Sequence, residues 1–159
     1  MAHIHDKIDF VATAYVVYKD KVLLHLHKKL KIWIGVGGHI ELDEDPNQTI
    51  IREVKEEAGL DVTILDPHKT LVTLKDYVEK QRGLISPVSM NIHSITDTHE
   101  HIDLVYYATS ETDTVVPESP EMIFRWFSKE DLIQNEGGIL AEKIIYYGLN
   151  AIQAAALYK

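Results

Sequence analysis

The stretch that decides the fold is GHIELDEDPNQTIIREVKEEAGL, residues 38–60, in which a glycine-rich turn precedes a strongly marked helix. Asp45 is suited to cap that helix, Pro46 suits its first position, and Gln48 stands three residues after the cap, as in a capping box. Gly59 is a natural C-terminal stop, because glycine adopts the left-handed conformation that ends many helices. The sequence therefore predicts a helix that begins after Asp45 and ends before Gly59.

One face of this predicted helix concentrates carboxylates beside its apolar stripe. At 100° per residue, Glu53, Glu56 and Glu57 fall within an arc of about 100°. Like charges one turn apart repel each other by a few tenths of a kcal/mol, and Arg52, four residues before Glu56, neutralises only part of that charge. A divalent cation with hard oxygen ligands would neutralise the rest. A solvated acidic helix face is the alternative, and the helix alone leaves both interpretations open.

The spacing of the whole segment favours the metal site. It reads Gly38, five residues, Glu44, seven residues, and then REVKEEAGL at residues 52–60. This pattern resembles the signature of the Nudix hydrolases, GX5EX7REUXEEXGU with U aliphatic, at every specified position. Trp33 shortly before the glycines and Glu41 in a Gly-Gly-x-x-Glu pattern also resemble that family.

The resemblance implies a metal-binding site with Mg²⁺ as the cofactor and Mn²⁺ as a substitute. The implied ligands are the backbone carbonyl of Gly38 and the carboxylates of Glu53, Glu56 and Glu57. Several members place a further acidic ligand on a loop near the position of Glu100, which lies in the predicted turn His99–His101. The opposing interpretation of Glu100 is a solvated turn residue.

The resemblance also implies the catalytic residues. Glu53 or Glu57 matches the base that activates water, and Arg52 matches the residue that orients the acidic side chains. Glu44 matches an acid that supports these residues without binding the metal itself. The implied reaction is metal-assisted hydrolysis, in which water attacks phosphorus in the diphosphate of a nucleoside diphosphate derivative. The substrate would be a nucleoside triphosphate, including an oxidised one, or a dinucleoside polyphosphate.

Two other functions share this fold. A Nudix domain that binds and senses a nucleotide without hydrolysing it is the alternative, although such domains often have a degraded signature and this one is complete. Isopentenyl diphosphate isomerase uses an active-site cysteine. It is set aside because the chain contains no cysteine.

The order of predicted elements indicates an α+β fold, an α/β/α sandwich in which a mixed β-sheet is flanked by helices. Alternating apolar and β-branched residues predict five strands: Phe10–Tyr18, Val22–His27, Pro87–His93, His101–Thr109 and Met122–Phe127. Ser128, with Asp131 three residues later, predicts a short capped helix, and residues 139–158 predict a terminal helix. We expect residues 1–159 to form one Nudix domain.

The charge balance and the lengths of the apolar runs indicate which classes of binding partner to expect. Sixteen Lys and Arg against 25 Asp and Glu give a net charge of −9, which argues against a nucleic-acid polymer as partner and leaves a small nucleotide as the expected one. The sequence has no signal peptide pattern and no apolar run long enough to cross a membrane, so we expect a cytoplasmic protein without a membrane partner. Homodimers are common among Nudix relatives, and the terminal helix offers a surface for one.

Several histidines are further candidates for binding a metal or the substrate. The pairs His25/His27 and His99/His101 would suit zinc, but their spacing matches no known zinc motif, and a half-exposed strand face explains them as well. His39, directly after Gly38, is a candidate for contact with phosphate or base, against a simple role in the turn.

Four aromatic residues are candidates for stacking on a nucleobase, against the more common role of core packing: Trp33, Tyr77, Tyr106 and Tyr107. Tyr77 lies 17 residues beyond Leu60, within the window typical of dinucleoside polyphosphate hydrolases. Lys75 occupies the position where ADP-ribose hydrolases carry proline, which argues against ADP-ribose as the substrate.

Overall fold

The computed structural model describes residues 6–68 and 83–158. Within these ranges eight strands form one mixed sheet. The strands are β1 (Ile8–Tyr18), β2 (Lys21–Leu26), β3 (Trp33–Ile34), β4 (Val36–His39), β5 (Val62–Ile64), β6 (Ser89–Thr96), β7 (His99–Ser110) and β8 (Ile123–Ser128). The described helices are α1 (Pro46–Ala58), α2 (Lys129–Gln134) and α3 (Glu142–Leu157).

Strands β1 and β7 form the centre of the sheet. They pair in parallel along most of their length, from Ile8 opposite Glu100 to Val17 opposite Thr109. The other edge of β1 is shared, because β4 pairs with its first half and β2 with its second half, both antiparallel. The outer edge of β7 pairs with β6 and β5, while β3 and β8 extend the sheet from β2.

The two faces of the sheet pack against different helices. Side chains alternate between the faces along β1. Ala12, Ala14 and Val16 belong to a core that includes Ile50 and Val54 of α1. On the opposite face, a second core joins β1 and β7 to α2 and α3, with these members: Tyr15, Val17, Val105, Tyr107, Leu132, Ile144 and Ala151. The predicted mixed sheet with helices on its faces is therefore confirmed.

Both predicted caps of helix α1 are present. The Asp45 carboxylate accepts hydrogen bonds from the backbone N–H groups of Asn47 and Gln48, and the Gln48 side chain accepts one from the backbone N–H of Asp45. Gly59 ends the helix in the left-handed conformation, with φ of 71°. The capping box of Ser128 and Asp131 at helix α2 is confirmed as well.

The predicted strands and helices all occur, with ends shifted by a few residues, but two interpretations of turns were wrong. The glycine-rich segment before His39 is strand β4, because a β-carbon at Gly37 would overlap the carbonyl oxygen of Ala12 and glycine lets β4 approach β1 closely. Glu100 lies inside β7, because its backbone pairs with both Ile8 and Ser94.

Residues 6–68 and 83–158 were compared with the length and hydropathy that a membrane-spanning helix needs. None of the helices described there is long and apolar enough to cross a bilayer.

We expect replacement of Asp45 by alanine to lower the free energy of unfolding by about 1 kcal/mol, because two backbone N–H groups lose their acceptor. In a domain of this size that loss lowers Tm by roughly 2–4 °C, measured by thermal denaturation. Asp61→Ala is the matched control. Its exposed carboxylate pairs only with Lys55 on the surface, so its loss should change Tm little. Equal effects of both substitutions would contradict the capping role.

Candidate active site

The guanidinium of Arg52 is the centre of the candidate site. Its Nε and Nη2 atoms donate to the two carboxylate oxygens of Glu44, at 3.0 and 2.6 Å. Its Nη1 atom donates to Glu53 at 2.9 Å and to Glu56 at 3.2 Å, and Nη2 also donates to the backbone carbonyl of His39 at 3.2 Å. One side chain thus connects the helix, the preceding loop and strand β4. The hydrogen bonds that Arg52 donates to Glu44 are the main cause that raises the pKa of Arg52.

Glu44 anchors the loop to the start of helix α1. Besides Arg52, its Oε1 atom accepts hydrogen bonds from the Thr49 hydroxyl at 2.9 Å and from the backbone N–H of Glu41 at 3.0 Å. The hydrogen bonds from Arg52 are the main cause that lowers the pKa of Glu44, so this carboxylate stays ionised at neutral pH. Its two oxygens hold the guanidinium of Arg52 in place, and the predicted supporting role of Glu44 in catalysis stays a prediction.

Glu53 lies against the glycines of strand β4. Its side chain is only 3% exposed, and a β-carbon at Gly38 would overlap its carboxylate. A side chain at position 38 would therefore displace the Glu53 carboxylate from its place against β4. Burial raises the pKa of Glu53, and the hydrogen bond from Arg52 offsets part of that rise. The predicted neighbours Gly38 and Glu53 are brought together by the fold.

Glu57 is the carboxylate that Arg52 does not hold. Burial, together with the nearby charge of Glu53, raises the pKa of Glu57 to about 8, although the backbone N–H of Gly37 donates a hydrogen bond to it. Its Oε2 atom lies 3.6 Å from Nδ1 of His25, whose pKa burial lowers to about 4. Within the described ranges this buried oxygen accepts no hydrogen bond. Both shifts disfavour the charged forms, so neither group compensates the other at neutral pH.

The acidic residues of the site outnumber its cations. Three carboxylates, those of Glu44, Glu53 and Glu56, contact the guanidinium of Arg52, and a fourth, that of Glu57, lies near Glu53. Glu56 is more than half exposed and points toward solvent, whereas Glu53 is buried and the Glu57 side chain is 17% exposed. An arrangement with an excess of buried carboxylate is suited to a cation and to chemistry on an anionic substrate that arrives with one.

Glu100 is not joined to this cluster by any hydrogen bond or ion pair among the residues that the structure describes. Its backbone N–H donates to the carbonyl of Lys7, at the start of β7. Its role as a further ligand stays a prediction.

A family model provides an independent view of these residues. The model of the NUDIX domain matches residues 9–146, which include the whole of α1 and β7 and all of β1 except Ile8. The chain belongs to the NUDIX family. It is therefore a hydrolase of the class that acts on phosphorus anhydrides, and the family that residues 38–60 predict is confirmed.

Solved structures agree with this membership. A hydrolase of the NUDIX family from Clostridium perfringens is 40% identical, with a TM-score of 0.83 over 92% of this chain and 97% of that chain. The fold alone is shared with two more distant proteins. The ORF135 protein of E. coli is 19% identical with a TM-score of 0.57, covering 96% of this chain and 94% of its own. The MutT NUDIX hydrolase from Burkholderia pseudomallei is 17% identical with a TM-score of 0.59, covering 93% and 98%.

The aromatic candidates divide by burial. Tyr106 and Tyr107 are 2% and 8% exposed and belong to the two cores, which favours packing over stacking on a base. Trp33 is partly buried with its ring edge against Phe127, at 5.2 Å between centroids. Tyr77 and Lys75 lie outside the described residues.

The sequence did not anticipate a cluster on the other face of the sheet, at the start of β1. Asp9, which is fully buried, lies among the imidazoles of His39, His99 and His101. Burial and the neighbouring histidines lower the pKa of His101 to about 4. The available signal was a lone aspartate between Ile8 and Phe10 in an otherwise apolar strand.

The raised pKa of Glu57 has a consequence for stability without divalent ions. An unfolded glutamate ionises near pH 4.5, whereas the folded group keeps its proton to about pH 8, so stability falls as pH rises between these values. In a chelating buffer we expect the free energy of unfolding to decrease with pH by up to about 1.4 kcal/mol per unit more than in Glu57→Gln.

Denaturant unfolding between about pH 5 and pH 8 measures this difference. Added Mg²⁺ should restore the lost stability of the wild type at the alkaline end and have less effect on Glu57→Gln. Parallel pH profiles for the two proteins would contradict the burial of an uncompensated carboxyl at this position.

Proposed function

We propose that this NUDIX hydrolase is a metal-dependent pyrophosphohydrolase that cleaves the diphosphate of a nucleoside diphosphate derivative. The substrate is a nucleoside triphosphate, including an oxidised one, or a dinucleoside polyphosphate, and water attacks phosphorus. The observation that carries the proposal is the grouping of Glu44, Glu53 and Glu56 around one arginine beside Gly38, with Glu57 close to Glu53.

The residues of this site fit a divalent ion. Buried Glu53 and partly buried Glu57 both have raised pKa values, and Oε2 of Glu57 lies buried without a hydrogen-bond donor among the described residues. Hard oxygen donors of this kind suit Mg²⁺, with Mn²⁺ as a substitute. We propose Gly38, Glu53, Glu56 and Glu57 as its ligands, with Glu100 as a further one. When bound, the ion would neutralise the diphosphate and lower the pKa of water.

The chain's own residues divide the remaining work. Arg52 fixes Glu53 and Glu56 relative to the backbone of β4, while Glu44 fixes Arg52. Glu57 is the better candidate for the base, because Arg52 does not contact it and leaves its carboxylate oxygens free of that hydrogen bond. Glu53, the other candidate, already accepts a hydrogen bond from Arg52.

The same proposal covers partners and organisation. The net charge of −9 supports a small nucleotide as substrate over a nucleic-acid polymer. We propose residues 1–159 as one domain of a cytoplasmic protein without a membrane partner. The largely apolar helix α3, with Tyr146 and Leu157 exposed, supports a homodimer through this element.

We expect the purified protein to hydrolyse at least one class of nucleotide in the presence of Mg²⁺ and to lose that activity in a chelator. The substrates to compare are canonical and oxidised nucleoside triphosphates, dinucleoside polyphosphates and nucleotide sugars, with products separated by chromatography. Glu57→Gln should lower kcat roughly 10²–10⁴-fold, because it removes the acid–base group. Glu130→Gln, at an exposed position on α2, is the matched control and should leave kcat unchanged.

Nucleotide binding without hydrolysis is the result that would contradict this proposal. If the folded protein binds nucleotides, shown by an increase in Tm, yet hydrolyses no member of the panel with Mg²⁺ or Mn²⁺, it is a nucleotide-sensing domain. The proposed hydrolysis would then be wrong.

Arg52 provides a second test, because its planar fork binds Glu44 through two parallel hydrogen bonds. We expect Arg52→Lys to lower kcat roughly 10²-fold with a smaller change in KM, since a displaced Glu53 misaligns the reaction more than it weakens binding. Steady-state kinetics separate the two constants. Arg125→Lys, which alters a surface pair with Asp131, should change neither constant, and equal effects of both substitutions would contradict the positioning role.

A further inference from the structure

We propose that this protein holds a second, structural metal site for a transition ion of the zinc type, built by Asp9, His39, His99 and His101. These four residues are called the Asp9 site below. Three of them, Asp9, His39 and His101, present ligand atoms that all lie within 4.8 Å of one another. The Nε2 atom of His99 lies 3.2 Å from the same Asp9 carboxylate.

The fold places the Asp9 site on the face of the sheet opposite to helix α1. Gly38 pairs with Ala12, whose side chain faces α1, so the next residue, His39, faces the other way beside Val11. Asp9 lies two residues before Val11 on β1 and pairs with His101 on β7. The site therefore joins three strands and is separated by the sheet from the carboxylates of α1.

The nitrogen–oxygen distances match the edges of a coordination tetrahedron. Two atoms bound tetrahedrally to one zinc ion at about 2.05 Å lie about 3.3 Å apart. Oδ2 of Asp9 lies 3.3 Å from Nε2 of His39 and 3.2 Å from Nε2 of His99. A typical N–H···O hydrogen bond is shorter, about 2.9–3.0 Å. Both distances thus fit two ligands of one ion, and they lie at the long end of the hydrogen-bond range.

The distances between the imidazole rings also agree with those of histidines bound to one zinc ion. An imidazole centroid lies about 3.2 Å from a zinc ion bound at its nitrogen, so two such rings at the tetrahedral angle have centroids about 5.2 Å apart. The His101 ring lies 4.9 Å from that of His39 and 5.3 Å from that of His99, both nearly perpendicular. The ring of His93 is farther from His101, at 5.8 Å, and its Nδ1 atom lies 3.0 Å from the side-chain oxygen of Asn91.

The surroundings of His99 support a cation at its Nε2 atom. Its Nδ1 atom lies 3.4 Å from the backbone carbonyl of Asp6, while Nε2 faces the Asp9 carboxylate. Both ring nitrogens thus face oxygen acceptors, which a neutral imidazole with one N–H cannot satisfy. Donation from Nδ1 to a carbonyl is the arrangement that commonly orients a metal-binding histidine. The competing explanation is a positively charged His99 paired with Asp9.

The donor set decides the class of ion. Imidazole nitrogens with one carboxylate suit Zn²⁺ and its neighbours among the transition metals, whereas Mg²⁺ prefers oxygen ligands. Four protein ligands close a tetrahedral site, which is typical of a structural metal. A metal here would fix β1, β4 and β7 to one another at His39, directly after the proposed ligand Gly38.

Spacing along the chain does not indicate this site, because the pairs His25/His27 and His99/His101 match no known zinc motif. The structure separates these pairs, since His25 lies beside Glu57 on the other face of the sheet. Asp9 and His39, which come from different strands, complete the set.

The test uses Co²⁺ as a spectroscopic substitute for Zn²⁺. Metal-free protein is held in excess Mg²⁺, to occupy the oxygen ligands of the proposed catalytic site, and is then titrated with Co²⁺. Tetrahedral Co²⁺ absorbs visible light far more strongly than octahedral Co²⁺. We expect the strong spectrum at one equivalent per chain, its loss on addition of Zn²⁺, and an increase in Tm with Zn²⁺.

Matched variants assign that spectrum to residues. His39→Gln and His101→Gln should abolish it, whereas His93→Gln should keep it, because His93 touches the same cluster without being a ligand. Glu57→Gln should also keep it, so failure of the catalytic proposal and failure of this one are distinguishable. Circular dichroism checks the fold of each variant.

Two results would overturn the Asp9 site. One is a wild-type protein that gives no tetrahedral spectrum and retains no zinc in excess Mg²⁺, which would assign the cluster to a charged His99 paired with Asp9. The other is a spectrum that persists in folded His39→Gln and His101→Gln.

Discussion

The hydrogen bonds of Arg52 are the interaction on which the candidate active site depends. A guanidinium cannot lose its proton at any physiological pH, and its flat fork binds both oxygens of Glu44 at once. The remaining donors reach Glu53, Glu56 and the carbonyl of His39. Removal of this one cation would leave several carboxylates to repel one another against a buried strand. The loop, the helix and β4 therefore share one electrostatic anchor.

A second constraint is the close approach of backbones at β4. At Gly37 a side chain would meet the backbone of β1, and at Gly38 it would meet the carboxylate of Glu53. These two glycines let a helix rich in acidic residues press against the centre of the sheet. The contact buries Glu53 and Glu57, raises their pKa values, and so makes the site receptive to a cation. The close contact between α1 and β4 therefore both packs the helix on the sheet and raises the pKa values of these carboxyl groups.

The sheet also keeps two kinds of polar chemistry apart. On the α1 face the clustered polar atoms are mainly carboxylate oxygens, which suit hard cations. On the opposite face the Asp9 site gathers imidazole nitrogens around one carboxylate. Adjacent residues of β4 serve the two faces, since Gly38 lies against Glu53 and His39 lies against Asp9. Strand alternation alone produces this division, because successive side chains point to opposite sides.

The sequence by itself determined the local features. The caps of α1, the acidic arc with Arg52 beside it, and the spacing that identifies the family all lie within 23 consecutive residues, where helical geometry fixes which side chains are neighbours. Only the tertiary structure decided what depends on contacts between distant segments. Glycines that favoured a turn became a strand because β1 lies beside them. Glu57 gained its raised pKa from burial, and Asp9 met three histidines from two other strands, because register between strands is set by the whole sheet and not by spacing along the chain.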